Sequence, residues 1–281
     1  MIETDAPRFL FAEWSCEEGS DPTEFENWKI SNPSLGVKGI APVQALRTDF
    51  EVKMSLQQFA REHLGMWDDP RMNSVIPFDA WEACMIADVP DPENPELTIA
   101  PVVEMGMRAC AVDVAPDNDW ASIAIAGKRP DGRVHVEVVM NESGVSWLVP
   151  TMQRLMASSS PPVAVAVQGG AAAGAFGAEI EEIGYKLHYF GTQDVARATA
   201  QFYTDVVDKR LTHLDDQSLF EGLSGASKYP IGKPELEQWG WLRKNRGVDI
   251  TGIVACSYAN RALTLESADE TLNAPKKHRL L

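Results

Sequence analysis

The sequence predicts an α/β protein: a mixed sheet flanked by helices, preceded by an N-terminal appended segment. Three observations carry that prediction. Residues 107–140 read as three successive strands separated by tight turns, which is an antiparallel meander. A continuous apolar run, PVAVAV at 162–167, reads as a buried parallel strand. From there helical and strand-like stretches alternate, as they do when helices cover both faces of a sheet.

Taken in order, residues 1–70 begin with an apolar strand-like run and pass through an acidic loop. A turn of helix follows with Phe25 and Trp28, then the breaker Asn32-Pro33. Residues 42–64 place Val43, Leu46, Phe50, Phe59 and Leu64 near helical spacing. No titratable cluster accompanies them, so packing and connection is the expected role. Prolines then recur at Pro70, Pro77, Pro90, Pro92, Pro95 and Pro101. Residues 71–100 therefore read as a linker holding one short helix around 78–81. The main domain is placed at 101–268 and a frayed tail at 269–281.

Within the main domain, strands are expected at 107–114, 120–127 and 133–140, the last alternating cleanly after the turn Pro130-Asp131-Gly132. A helix over 146–157 contains Pro150, which starts or kinks it. The strand at 162–167 ends at Gln168-Gly169-Gly170 and leads into an alanine-rich helix over 171–183, stopped by Gly184. A strand at 185–190 and a helix capped by Thr192, running to about residue 210, come next. Further helices are expected around 218–227 and 250–265.

Composition bounds the function. In 281 residues, 44% are hydrophobic and 23% charged, ordinary for a globular protein with a sizeable core. No apolar run approaches a membrane span, and the acidic start MIETDAPRFLF is not expected to be a signal peptide. The four cysteines, Cys16, Cys84, Cys110 and Cys256, lack any CxxC pairing and read as small buried hydrophobes. A net charge of −16 argues against a module that grips nucleic acid by phosphate neutralisation alone. An enzyme that holds phosphates through cations remains compatible with it.

The stretch MRACAVDVAPDNDWASIAIAG places Asp113 in a strand between Val112 and Val114, just before an acid-rich turn with Asp117 and Asp119. A carboxylate there is costly to bury unless paired or bound to a metal, and it is otherwise a solvated acid on an open sheet face. The order of elements, with an acid in the first strand, resembles the ribonuclease H-like fold. The phrases WKISNPSLG…FAREHLGMW, AVDVAPDNDWASIAIAG, LTHLDDQSLFEGLSGA and WGWLRKNRGVDITGIVACSYA resemble the C-terminal half of phage terminase large subunits. Residues 8–67 are similar to the end of the motor's ATPase domain and about 100–265 to its nuclease domain. There is no GxxxxGK[ST] loop, so ATP hydrolysis is expected elsewhere. The sequence is then either a piece holding the nuclease or a shortened gene.

That resemblance implies a two-metal endonuclease using Mg²⁺ or Mn²⁺ on double-stranded DNA, with the small terminase subunit and portal as partners in a host cytoplasm. Its acids come from the first strand, the end of the fourth and the last helix. Carried over, these positions are Asp113, Gln168 and Asp249, with Asp117 as an auxiliary metal ligand. Asp249 is equally well explained as a helix cap. Gln168 departs from the pattern, since a neutral amide offers one carbonyl oxygen and no charge. Weakened activity favouring Mn²⁺ is the expectation. Arg243, Lys244 and Arg246 form the one dense basic stretch beside Asp249, either a DNA contact or a solvated loop. His213 reads as a capping or packing residue, and Trp239 and Trp241 as core. The rival readings are a non-catalytic docking module or prophage remnant binding portal or small terminase, and a resolvase- or integrase-like enzyme.

Overall fold

The computed structural model describes residues 13–17, 20–54, 56–66, 74–94, 97–244 and 247–273. Two compact units are present, Met1–Met72 and Asn73–Leu281.

The first unit is a small helical cluster of α1 (Phe25–Ser31), α2 (Val43–Thr48) and α3 (Leu56–Leu64). Trp28 stands 5.0 Å from the rings of Phe50 and Phe59, and its indole N–H donates to the carbonyl of Pro22. The single helix expected over 42–64 is interrupted. A π-helical turn at Asp49–Lys53 follows α2, and Met54 is extended before α3 begins. The interruption brings Phe50 to the Trp28 cluster.

The second unit opens with α4 (Phe78–Glu82) and a small exposed ladder of β1 (Val89–Pro90) and β2 (Thr98–Ile99). A six-stranded sheet follows. It contains β3 (Arg108–Val114), β4 (Trp120–Lys128), β5 (Val134–Ser143), β6 (Val165–Gln168), β7 (Leu187–Phe190) and β8 (Leu211–Thr212), in the order β7-β6-β3-β4-β5-β8. The β3-β4-β5 meander is antiparallel, while β6, β7 and β8 join in parallel. The turn between β3 and β4 puts Asn118 at φ 58°, a left-handed position that asparagine tolerates.

Helices α5 (Leu148–Met156) and α6 (Gly177–Ile183) cover one face through Leu148, Met152 and Ile180 against Cys110, Val112 and Val165. On the other face lie α7 (Thr192–Val207), α8 (Gln217–Gly225) and the long α9 (Thr251–Asn273), with the antiparallel pair β9 (Ala226–Pro230) and β10 (Trp239–Arg243). All four cysteines are buried and unpaired.

Several expectations are corrected. The linker over 71–100 is not a linker at its start: Ile76, Trp81 and Cys84 are buried in the core of the second unit. Trp81 lies on α4 and Cys84 in the turn that follows it, where its N–H donates to the Trp81 carbonyl. Residues 171–183 begin as a 3₁₀ turn at Ala172–Phe176 before α6. Gly191, not Thr192, precedes α7, and its N–H donates to the carboxylate of Asp194. The antiparallel pair β9 and β10 occupies the stretch between the helices expected around 218–227 and 250–265. Helix α9 continues into the expected tail as far as Asn273, and residues 274–281 lie outside the described residues.

Because Trp81 stacks on His213 at 3.9 Å and reaches Phe202, Trp81→Ala should cost about 3–5 kcal/mol of stability. Urea unfolding would measure it. A loss below about 1 kcal/mol would return residues 76–84 to a connecting role.

Candidate functional site

The alternation of β3 sends Ala109 and Ala111 into the core beneath α9 and Cys110 and Val112 to the opposite face. Asp113 continues the first row, so its carboxyl points under α9 at the carboxy-terminal end of the strand. Ser122 lies directly opposite on β4, and Asn141 lies opposite Ser122 on β5. On the other side, β6 pairs Ala166 with Ala111, so Gln168, two residues on, comes level with Asp113. The last strand residues thus form one polar row: Gln168, Asp113, Ser122, Asn141.

Asn141 joins that row only because β5 is irregular. Val136 and Val138 face α9, so strict alternation would turn Asn141 away. The register shifts opposite Ile123 and Ala124, leaving Val139 as an extra, exposed residue. The bulge restores Asn141 to the α9 face, a use of bulges common beside functional sites. Met140 is sent the other way, where its sulfur accepts from Thr151 of α5.

Above this row sits the start of α9. Asp249 Oδ1 accepts from the backbone N–H of Thr251 at 2.9 Å and from its hydroxyl at 2.8 Å. Oδ2 accepts from Asn141 Nδ2 at 2.6 Å. Asn141 Nδ2 also donates to Ser122 Oγ at 2.7 Å, and Ser122 Oγ is 2.8 Å from Thr251 Oγ1. One assignment uses every hydrogen: Asn141 to Ser122 and Asp249, Ser122 to Thr251, Thr251 to Asp249. The chain of donors ends on Asp249, whose two carboxyl oxygens act as acceptors. Asp249 thus caps α9 and also anchors a network spanning β4, β5 and α9.

Asp113 sits in a less favourable setting. Burial pushes its carboxyl up to about 8, the neighbouring Asp249 carboxylate adds to the rise, and the Val114 amide and Arg243 guanidinium only partly offset it. Asp113 opens into a cavity of about 380 Å³ whose walls include Gln168, Tyr229, Trp241, Arg243 and Tyr258. The Tyr258 hydroxyl donates to Gln168 Oε1 at 3.0 Å, tying the end of β6 to α9. Burial, then Asp113 and Tyr229, keep that phenol well above its ordinary pKa, so it stays a donor.

The other sequence candidates are dispersed. Asp117 is exposed in the β3–β4 turn, where its carboxylate meets Arg243 at 3.5 Å. Asp119 is exposed in the same turn. Arg243 ends β10 at the cavity wall, and the exposed Lys244 donates to the carbonyl of Ser224. Arg246 lies outside the described residues. His213 is away from the row: its ring nitrogens meet the carbonyls of Leu214 and Trp81, and it stacks on Trp81. Trp241 is buried and donates to Ser257 Oγ, with Trp239 packed edge-on against it. Ser122, Asn141, Thr251 and Tyr258 were not singled out in the sequence. Only Thr251 had a readable signal, two residues after an acid at a helix start.

Together the sheet order and the flanking helices define a ribonuclease H-like α/β fold. No family model matches the sequence, and no curated protein matches it. Among solved structures, the chain is similar to the HK97 bacteriophage large terminase, with a TM-score of 0.51 and 16% identity over 89% of this chain. It spans 56% of that terminase's length. It is also similar to the large terminase nuclease from thermophilic phage G20c, with a TM-score of 0.47 and 13% identity over 67% of this chain and 97% of that one. For the human cytomegalovirus terminase nuclease domain, Mn soaked and inhibitor bound, the values are 0.40 and 11%, over 67% and 94%. The G20c nuclease is also known with bound magnesium. At these identities the likeness is one of fold.

The donor set fits a divalent ion in part. Asp113 and Asp249 are hard oxygen donors brought together, and a cation would offset the burial and the neighbouring carboxylate that push the Asp113 carboxyl up. Among the described residues, however, no group of three or more histidine, cysteine, aspartate or glutamate side chains forms a metal cluster.

A pH dependence follows. Unfolded Asp113 loses its proton near the ordinary 3.8, whereas the folded carboxyl holds it to about 8. The folded state binds more protons in that window, so metal-free stability falls as pH rises from about 4 to 8. Asp113→Asn should flatten this component of the melting-temperature profile measured in chelator. Parallel profiles for the two proteins would contradict the assignment.

Proposed function

We propose that this chain is a terminase-type, metal-dependent endonuclease that hydrolyses phosphodiester bonds of double-stranded DNA. The observation that carries the reading is the convergence of Asp113, Gln168 and Asp249, from β3, β6 and the start of α9, on one side of the sheet. A divalent ion held by Asp113 and Asp249 would supply Lewis-acid activation of water and stabilisation of the leaving oxygen. The chain's own residues do the rest. Asp249 is held in place by Thr251 and Asn141 before any substrate arrives. Asp113 would give up its proton to a cation bound beside it. Arg243, at the cavity wall, is the cationic group available to orient a phosphate.

Mg²⁺ or Mn²⁺ is the proposed ion, and a role in phage DNA packaging in a host cytoplasm, with portal and small terminase as partners, is part of the same reading. The wider packaging activity would need the portion of a terminase that this chain does not span. A second reading, a non-catalytic docking module, is favoured by one observation: the residue level with Asp113 on β6 is an amide rather than an acid.

Supercoiled plasmid incubated with Mg²⁺ or Mn²⁺ separates the two. Relaxation or linearisation should appear, and Asp113→Asn should slow it by about 100-fold or more. Absence of cleavage with intact metal binding would leave the docking module.

Binding should be weak and salt-sensitive, because −16 of net charge opposes a polyanion. Arg243→Glu with Lys244→Glu should weaken it further and lower the slope of log K against log salt by about 1–2. An unchanged slope would remove this stretch from the interface.

A further inference from the structure

The site has room for more than one ion, but its charges and lone pairs do not. Asp249 accepts at Oδ1 from the Thr251 amide and hydroxyl and at Oδ2 from Asn141, and the Thr251 hydroxyl also lies 3.0 Å from Oδ2, so little of this carboxylate is left open. Gln168 contributes no charge, and its carbonyl oxygen already accepts from Tyr258 at 3.0 Å. Asp113, which accepts from the Val114 amide, is the carboxylate with more of its oxygen surface open to the cavity. A single divalent ion on Asp113 and Asp249 is electrically neutral. A second ion would leave two uncompensated positive charges in a cavity that Arg243 also lines.

We infer that, without nucleic acid, this site takes one divalent cation, on Asp113 and Asp249, and that the neutral Gln168 leaves the position of a second without the negative charge it needs. The inference rests on the metal-dependent reading above and deepens it. Gln168 sets ion number. Tyr258 holds the amide in place, and the missing negative charge, rather than the hydrogen bond, is what excludes the second ion.

The test is Mn²⁺ titration of the whole chain by calorimetry, paired with electron paramagnetic resonance of the bound Mn²⁺. Two ions roughly 3.5–4 Å apart couple magnetically, whereas an isolated ion keeps its six-line spectrum. The expected result is one ion per chain with an uncoupled spectrum, and loss of that ion in Asp113→Asn. Gln168→Asp should bind two ions with a coupled spectrum. Gln168→Glu, which keeps the side-chain length and an acceptor for Tyr258, should do the same if the aspartate variant folds poorly. Tyr258→Phe should stay at one.

Two coupled ions in the unaltered chain would overturn the inference and leave the nuclease reading standing. One ion in both acidic variants would overturn it as well, since charge would then not be limiting. Two ions in Tyr258→Phe would make the hydrogen bond the gate and overturn the charge argument. No ion in any of the proteins would overturn the metal-dependent reading itself.

Discussion

Helix α9 meets the sheet through small side chains on both sides. Ala255, Ala259 and Ala262 from the helix share one buried core with Ala109, Ala111, Ala124, Ala126 and Ala166 from β3, β4 and β6. Alanine has no rotamers to lose and keeps the two backbones close, at interior packing density. Residues 251–260 are buried without a break, so this stretch of α9 is enclosed rather than amphipathic. At its start, a β-carbon on Gly225 would collide with Val248, so the glycine ending α8 admits the segment that leads into Asp249. The close approach is what lets Thr251 reach Ser122 and Tyr258 reach Gln168 across the helix–sheet gap.

On that scaffold two aspartates meet different surroundings without differing in chemistry. Asp249 is half-buried and surrounded by donors. Asp113 is deeper and has only the Val114 amide and a guanidinium in its favour, against burial and its neighbour's charge. Pairs of carboxylates driven apart in this way are a common arrangement where a proton must yield to another positive group. The low dielectric that penalises an ionised Asp113 would also strengthen its grip on a cation.

How much of this was legible depends on which force fixed each residue. Asp113 stood out because alternation in β3 is strict, so a carboxylate among valines and alanines had to face a sheet surface. Asp249 stood out because a helix start leaves free N–H groups that an acid satisfies. Gln168 followed from the end of an apolar run. Asn141 was invisible, since its direction depends on one inserted residue, Val139, that no period predicts. Ser122 and Tyr258 read as ordinary strand and helix residues. Their roles come from pairing across about a hundred residues, which local pattern does not encode. The burial of Trp81 was missed for the same reason: its partners, Phe202 and His213, lie far along the chain.

The acidity of the chain and the frugality of the site belong together. With a net charge of −16, long-range forces repel a duplex, and at physiological salt screening confines any attraction to within about 8 Å. On the proposed reading, DNA would be held at contact range, through Arg243 at the cavity wall and through a cation bound beside it. A neutral one-ion site would not attract a polyanion from afar, yet an incoming phosphate would bring the negative charge that Gln168 does not supply. Occupancy of a further ion would then be linked to the presence of substrate, since each reduces the electrostatic cost of the other. On that reading the amide at the end of β6 would make completion of the site conditional on bound nucleic acid.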